Sequence, residues 1–274
     1  MVWIRIIIGV VVCLYLVAIM PRMLKRPDVT PLFGQLYAHR GLHDNASHAP
    51  ENSMAAFAKA VECGYGIELD VQLTKDQIPV VFHDFTLQRV CNQPGKVYEY
   101  TYEELQAFPL FGSEERIPKF SDFLKLVDGR VPLIIEYKIE WADPKVCEIV
   151  DEMLKVYQGA YCVESFNPCA LLWYRKHRPD VIRGQLSTNY AKDGAQKGKP
   201  LYFALRHLLF NFATKPDFIA YDHRFMNNLS FRLATRLWGA LPVAWTIKSE
   251  ADLAKARGAY RLFIFDSFVP VEKD

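Results

Sequence analysis

Two short runs of this chain carry residues able to move protons and hold a cation: His39-Arg40-Gly41 and Gly66-Ile67-Glu68-Leu69-Asp70-Val71, with Val80-Val81-Phe82-His83-Asp84 close behind. On an extended strand alternate side chains share a face, so Glu68 and Asp70 point together while Leu69 turns away. Two carboxylates aimed at one point repel unless a cation or a shared proton offsets them. An all-oxygen donor set favours a hard ion, Mg²⁺ or Ca²⁺, over zinc. A third run, Leu133-Ile134-Ile135-Glu136-Tyr137-Lys138, repeats the alternation and puts Glu136 and Lys138 on one face. The candidate metal ligands are therefore Glu68, Asp70 and Glu136. Arg40 and Lys138 are candidate clamps for anionic oxygens, and His39 and His83 a candidate acid–base pair whose division of roles the sequence leaves open, with His39 expected as base and His83 as acid. Such a set suits phosphate esters, because cations stabilise anionic oxygens while imidazoles move protons. No Walker-type loop or Cys/His zinc spacing competes with it.

These residues need elements to position them. Apolar, strand-like runs recur at Leu36 to His39, Gly66 to Gln72, Val80 to His83, Pro132 to Lys138, Ala160 to Glu164, Ile182 to Leu186, Phe218 to Tyr221, Pro242 to Thr246 and Leu262 to Phe265. Amphipathic stretches alternate with most of them, the rhythm of a parallel (β/α)₈ barrel of the TIM type with its site at the strand C-terminal ends. The first helix is capped by Asn52 or Ser53, presents Met54, Phe57, Ala58 and Val61 at helical spacing, and ends at Gly64. One link breaks the rhythm. The stretch from Val71 to Pro79 is too short for a helical crossover, so it is expected to form a β2–β3 hairpin. A turn centred on Asp76 and Gln77 would set Asp70 across from His83. The segment from Phe85 to Ile117 then reads as a small insertion running over the barrel mouth.

The ordered strings His39 to Gly41, Pro50 to Ser53, Glu68 to Val71, Leu73 to Asp76, Pro79 to Asp84, Arg116 to Pro118, Ile135 to Lys138, Ser165 to Pro168 and Ala244 to Thr246 resemble the glycerophosphodiester phosphodiesterase family over most of the chain. The resemblance implies metal-dependent hydrolysis of a glycerophosphodiester to sn-glycerol 3-phosphate and an alcohol, with attack by the substrate's own glycerol hydroxyl through a cyclic phosphate. Two departures, Cys91-Asn92-Gln93-Pro94-Gly95 and the aromatic Phe263 to Phe268 segment, bear on head-group and chain preference rather than on the proposed ligands. Two rival functions are a lysophospholipase D acting on membrane lysophospholipids, and a catalytically inactive, membrane-tethered binding protein.

With 274 residues, 51% of them hydrophobic, the chain can bury one large core. A net charge of +2 and the lack of a basic run interleaved with aromatics exclude a nucleic-acid reading. The six scattered cysteines are read as free thiols. From Val2 to Met20 only Arg5 interrupts an apolar stretch, which is expected to be a transmembrane helix anchoring a single-pass membrane protein. Arg22, Lys25 and Arg26 outnumber Arg5, favouring a catalytic domain on the cytoplasmic side. The organisation is therefore an anchor and basic flank over 1–26, a linker over 27–35 and the barrel domain over 36–274. Trp245 is assigned to a wall of the substrate cleft. Glu51 and Asn52 are read as helix-start residues, and His43, His48, His177, His207 and His223 as surface or packing residues. Leu201 to Phe212 is apolar nearly all round, either a barrel helix or a helix that touches the bilayer.

Overall fold

All nine strand-like runs form strands: β1 Tyr37–His39, β2 Gly66–Leu73, β3 Pro79–Val81, β4 Leu133–Tyr137, β5 Tyr161–Ser165, β6 Arg183–Ser187, β7 Phe218–Asp222, β8 Leu241–Ile247 and β9 Leu262–Phe265. The computed structural model describes residues 1–140, 142–192 and 199–271. The sheet order is β1-β9-β8-β7-β6-β5-β4-β2, and a parallel β1–β2 pairing closes it. Eight parallel strands thus make a barrel, with helices on the outside of most links.

The period of two along each strand sorts side chains into an inner and an outer set. On β2, Ile67, Leu69 and Val71 join the large core between sheet and helices, together with Phe57, Phe123 and Val127. The inner face carries Ile134, Cys162, Phe218, Ala220, Val243 and Ile264 low in the barrel. Above that apolar plug, nearer the strand C-termini, the inner positions of β2, β4 and β5 are Glu68, Asp70, Glu136 and Glu164, all buried. Gly184 makes room for the Phe218 ring, whose atoms a Cβ would meet at 1.9 Å.

β3 is the hairpin strand. It runs antiparallel to β2 with Val71 opposite Val81 and Leu73 opposite Pro79. Val71 also pairs with Tyr137 of β4, so β3 occupies the other edge of β2, above the short β1. The register differs by one residue from the expected one. The amide of Phe82, not of His83, bonds to the Asp70 carbonyl at 3.0 Å. His83 still reaches the mouth, because β3 ends at Val81 and the chain leaves the sheet before it. The insertion from Phe85 to Ile117 is built of helical turns three or four residues long. They fold around a small core of their own that includes Leu87, Val90, Val97, Leu105 and Leu110.

The expectation of a membrane-spanning helix is corrected. The apolar segment is helical over Val2–Ala18, 17 residues, or about 25 Å at 1.5 Å per residue. Among the described residues no helix is long and apolar enough to cross a membrane. Not one residue of this helix is buried. Its C-terminal end docks on the barrel, where the Asn211 side chain donates to the Ile19 carbonyl at 3.0 Å and the Arg22 amide bonds to Pro216 at 3.0 Å. The apolar stretch from Leu201 divides its faces. Leu205 and Leu208 are buried, whereas Leu201, Phe203 and Phe212 are exposed. All six cysteines are free.

Candidate active site

The chain leaves β1 through a tight turn that aims His39 and Arg40 into the barrel mouth. Arg40 has φ +58° and Gly41 φ +84°. At Gly41 a Cβ would lie 2.9 Å from the backbone of Ala56, so only glycine lets the turn sit on the helix Met54–Glu62. Ser53 caps that helix by accepting from the Ala56 amide at 3.1 Å. This fixes the preceding residues, and Asn52 donates to Asp70 Oδ2 at 2.9 Å.

Each predicted catalytic histidine is tied at Nδ1 to an aspartate. His39 Nδ1 lies 2.9 Å from Asp266 Oδ2, just beyond β9, and its Nε2 is 3.8 Å from Glu68 Oε2. Asp266 also meets His43 Nε2 at 3.2 Å. Burial, reinforced by Arg40, pushes His39 down to about 4 against the pull of Asp266. Burial would raise Asp266, but hydrogen bonds from both histidines hold it well below the carboxylate range. His83 Nδ1 lies 2.6 Å from Asp84 Oδ1. Arg89 donates to both oxygens of Asp84, at 2.7 and 2.9 Å, and to both of Glu51, at 2.9 and 2.6 Å. Glu51 in turn accepts from Arg40 at 2.7 Å. An unbroken chain of ion pairs therefore links the surroundings of the two histidines.

Glu68, Asp70 and Glu136 converge, each offering an oxygen within 4.8 Å of the others. Lys138 donates to Glu136 at 2.9 Å and lies 3.5 Å from Asp70. Arg40 Nε lies 3.4 Å from Asp70. The three acids thus cluster, and Arg40 and Lys138 pair with them inside the barrel. Burial raises Glu68, and so do its neighbours Asp70, Glu136 and Glu164. Burial likewise raises Glu136 and Glu164. Burial would also raise Asp70, but His83, Lys138 and Arg40 bring it down. Despite these cations, Asp70 Oδ1 is buried without a hydrogen-bond partner. An orphaned carboxylate oxygen among two further acids fits a hard divalent cation, which would satisfy oxygens that these ammonium and guanidinium groups leave over.

His39, Arg40, Glu68, His83, Glu136 and Trp245 line one cavity of about 510 Å³. Asp70 and Lys138 are not among its lining residues. Trp245 donates to the Ala220 carbonyl at 3.1 Å and meets the Phe166 ring edge-on at 5.4 Å. His223, Arg224 and Lys248 line the far side. The site also gathers residues that have no catalytic part in the sequence reading. Of the histidines read as surface or packing residues, His43 meets Asp266 and His223 lines the cavity; Glu51 and Asn52 reach the site as well as starting a helix, and Asp84, Arg89, Glu164 and Asp266 join them. Three of these last four had a visible cue: Glu164 and Asp266 sit at or just past strand C-termini, as Glu136 does, and Asp84 adjoins His83.

Residues 39–260 match the glycerophosphoryl diester phosphodiesterase family. A glycerophosphodiester phosphodiesterase of Bacillus altitudinis is 37% identical over 159 residues, 54% of this chain and 64% of that protein. One from Caldanaerobacter subterraneus is 34% identical over 161 residues, 54% and 65% of the respective lengths. The chain thus spans slightly less than two thirds of either relative. Among solved structures, a phosphodiesterase of Oleispira antarctica in complex with the product sn-glycerol-3-phosphate superposes with TM-score 0.68 at 24% identity, covering 85% of this chain and 93% of that one. The glycerophosphodiester phosphodiesterase of Thermotoga maritima gives 0.64 at 22%, covering 85% and 94%.

Proposed function

The chain belongs to the glycerophosphoryl diester phosphodiesterase family, and on that premise we propose that it hydrolyses glycerophosphodiesters to sn-glycerol 3-phosphate and an alcohol by histidine acid–base catalysis. The observation that carries this reading is the pair of imidazoles, each held at Nδ1 by an aspartate, opening on one cavity beside three converging carboxylates. An aspartate at Nδ1 fixes the tautomer and leaves Nε2 for the substrate.

Glu68, Asp70 and Glu136 would hold the divalent ion, and their oxygen-only donors support Mg²⁺ or Ca²⁺. Once bound, the ion supplies positive charge against the phosphate and a neighbouring hydroxyl. Arg40, anchored by Glu51, and Lys138, anchored by Glu136, present positive charge to the non-bridging oxygens. His39 is neutral at pH 7 and takes the proton of the attacking hydroxyl. That hydroxyl belongs to the glycerol of the substrate, and its attack expels the alcohol with a cyclic phosphate as intermediate. His83 donates a proton to the departing oxygen. Water then opens the ring, with His83 taking its proton and His39 returning one to the glycerol oxygen that leaves phosphorus, which yields sn-glycerol 3-phosphate and restores both imidazoles. Trp245 and Phe166 wall the cleft on the side away from the hairpin.

A product assay on glycerophosphocholine, glycerophosphoethanolamine and lysophosphatidylcholine, with and without chelator, tests the proposal. Chelator-sensitive release of sn-glycerol 3-phosphate is expected. No turnover of any diester in the presence of Mg²⁺ or Ca²⁺ would leave a tethered binding protein in its place.

A further inference from the structure

The apolar N-terminal helix is fixed in direction relative to the barrel. Its Tyr15 hydroxyl meets Ser230 Oγ at 2.8 Å, in the helix Leu229–Arg232 that follows the C-terminal end of β7. Four residues on, Ile19 meets Asn211, and Arg22 then meets Pro216 and Pro179, which lie just before β7 and β6. The chain therefore descends from the mouth side of the barrel to its closed end. Followed backwards from Tyr15, the helix rises for about 20 Å at 1.5 Å per residue, on the same end as the cavity. Its residues up to Leu14 are exposed all round, with Trp3 at 78%, Ile7 at 60% and Leu14 at 64%.

A protein partner would cover one stripe of such a rod. A helix apolar on every side needs an apolar medium on every side. Beside the rod, the links that leave the mouth ends of β6 and β7 expose Leu201, Phe203 and Leu229. The same margin bears exposed Lys192 and Lys199, with Arg224 nearby. Apolar side chains rimmed by basic ones match the boundary between acyl chains and anionic headgroups.

We propose that the protein docks on a phospholipid bilayer through the projecting helix and the Leu201, Phe203 and Leu229 rim, turning the barrel mouth toward the headgroups. The diester substrate is then one displayed at a lipid surface, of the lysophospholipid class. The docking geometry stands on its own, whereas the substrate class rests on the phosphodiesterase reading above.

Hydrogen exchange of the full chain, with and without vesicles of phosphatidylcholine and phosphatidylglycerol, tests the orientation. Vesicles are expected to slow exchange over 2–14, 200–206 and 224–230 and to leave 128–132 and 155–160, at the closed end, unchanged. The paired substitution Phe203→Asp and Leu229→Asp should lower vesicle partitioning by at least about tenfold. It should reduce turnover of vesicle-borne lysophosphatidylcholine in parallel, with soluble glycerophosphocholine turned over as before. Protection at the closed end, protection confined to 2–14, unchanged partitioning, or vesicle-independent protection that grows with protein concentration would each overturn the proposal. Loss of all glycerophosphocholine turnover by the unsubstituted chain would instead remove the enzyme reading and leave the docking result standing.

Discussion

The proposed mechanism gives the two histidines distinguishable jobs, and single substitutions separate them. His39→Ala and His83→Ala should each lower kcat by about 10² to 10⁴-fold. A diester carrying p-nitrophenol leaves without a donated proton, so most of the His83→Ala loss should be recovered on that substrate and none of the His39→Ala loss. Equal deficits on both substrates would refute the assignment of His83 as the acid. Glu51 gives a second test at this scale. Burial would raise its pKa, but hydrogen bonds from Arg89 and the nearby Arg40 charge hold it below its ordinary value near 4.5. Because the folded-state value is the lower one, its contribution to stability is complete above about pH 4.5 and is lost as the pH falls toward the folded value. Melting temperatures of wild type and Glu51→Gln, measured from pH 7 to pH 3, should differ most at neutral pH and converge in acid. The key residues were legible because acids and histidines ending apolar runs are conspicuous. Asp266 and Arg89 were not, since their roles follow from contacts 227 and 38 residues away in the chain.

At the scale of elements, the site depends on how strands end. The turn after β1 admits no side chain at Gly41, where the backbone is left-handed and Ala56 is in contact. Gly41→Ala should destabilise the fold by about 1–3 kcal/mol and reduce kcat by displacing Arg40, as urea denaturation and steady-state kinetics would show. An unchanged midpoint would mean that the turn relaxes freely. The nine strands were readable from alternation and apolar runs, because each strand buries an outer face against helices. The hairpin was readable from its short link, but not its register: its turn is set by Thr74, which bonds the Asp76 side chain and both backbone groups of Ile78, a detail finer than the hydrophobic pattern. The apolar N-terminal run was readable as a helix. Its extent was not, because the chain turns aside after Ala18 to dock on the barrel.

Across the whole molecule, the excess of buried acid at the mouth predicts a protein whose metal is also structural. A ligand that binds only the folded state stabilises it, by about 2.7 kcal/mol at a hundredfold excess over its Kd. Adding Mg²⁺ or Ca²⁺ to chelated protein should therefore raise the melting temperature and restore turnover together, and Glu136→Gln should blunt both responses. Activity indifferent to chelation would count against the three-acid site. The contact between His39 and Asp266 has one more consequence. It joins the first strand to the residue that follows the last, so the proposed base acquires its partner only when the ring of strands shuts. On the proposed mechanism, a growing chain would stay hydrolytically silent until β9 and Asp266 had been made, and fragments lacking them would not consume substrate.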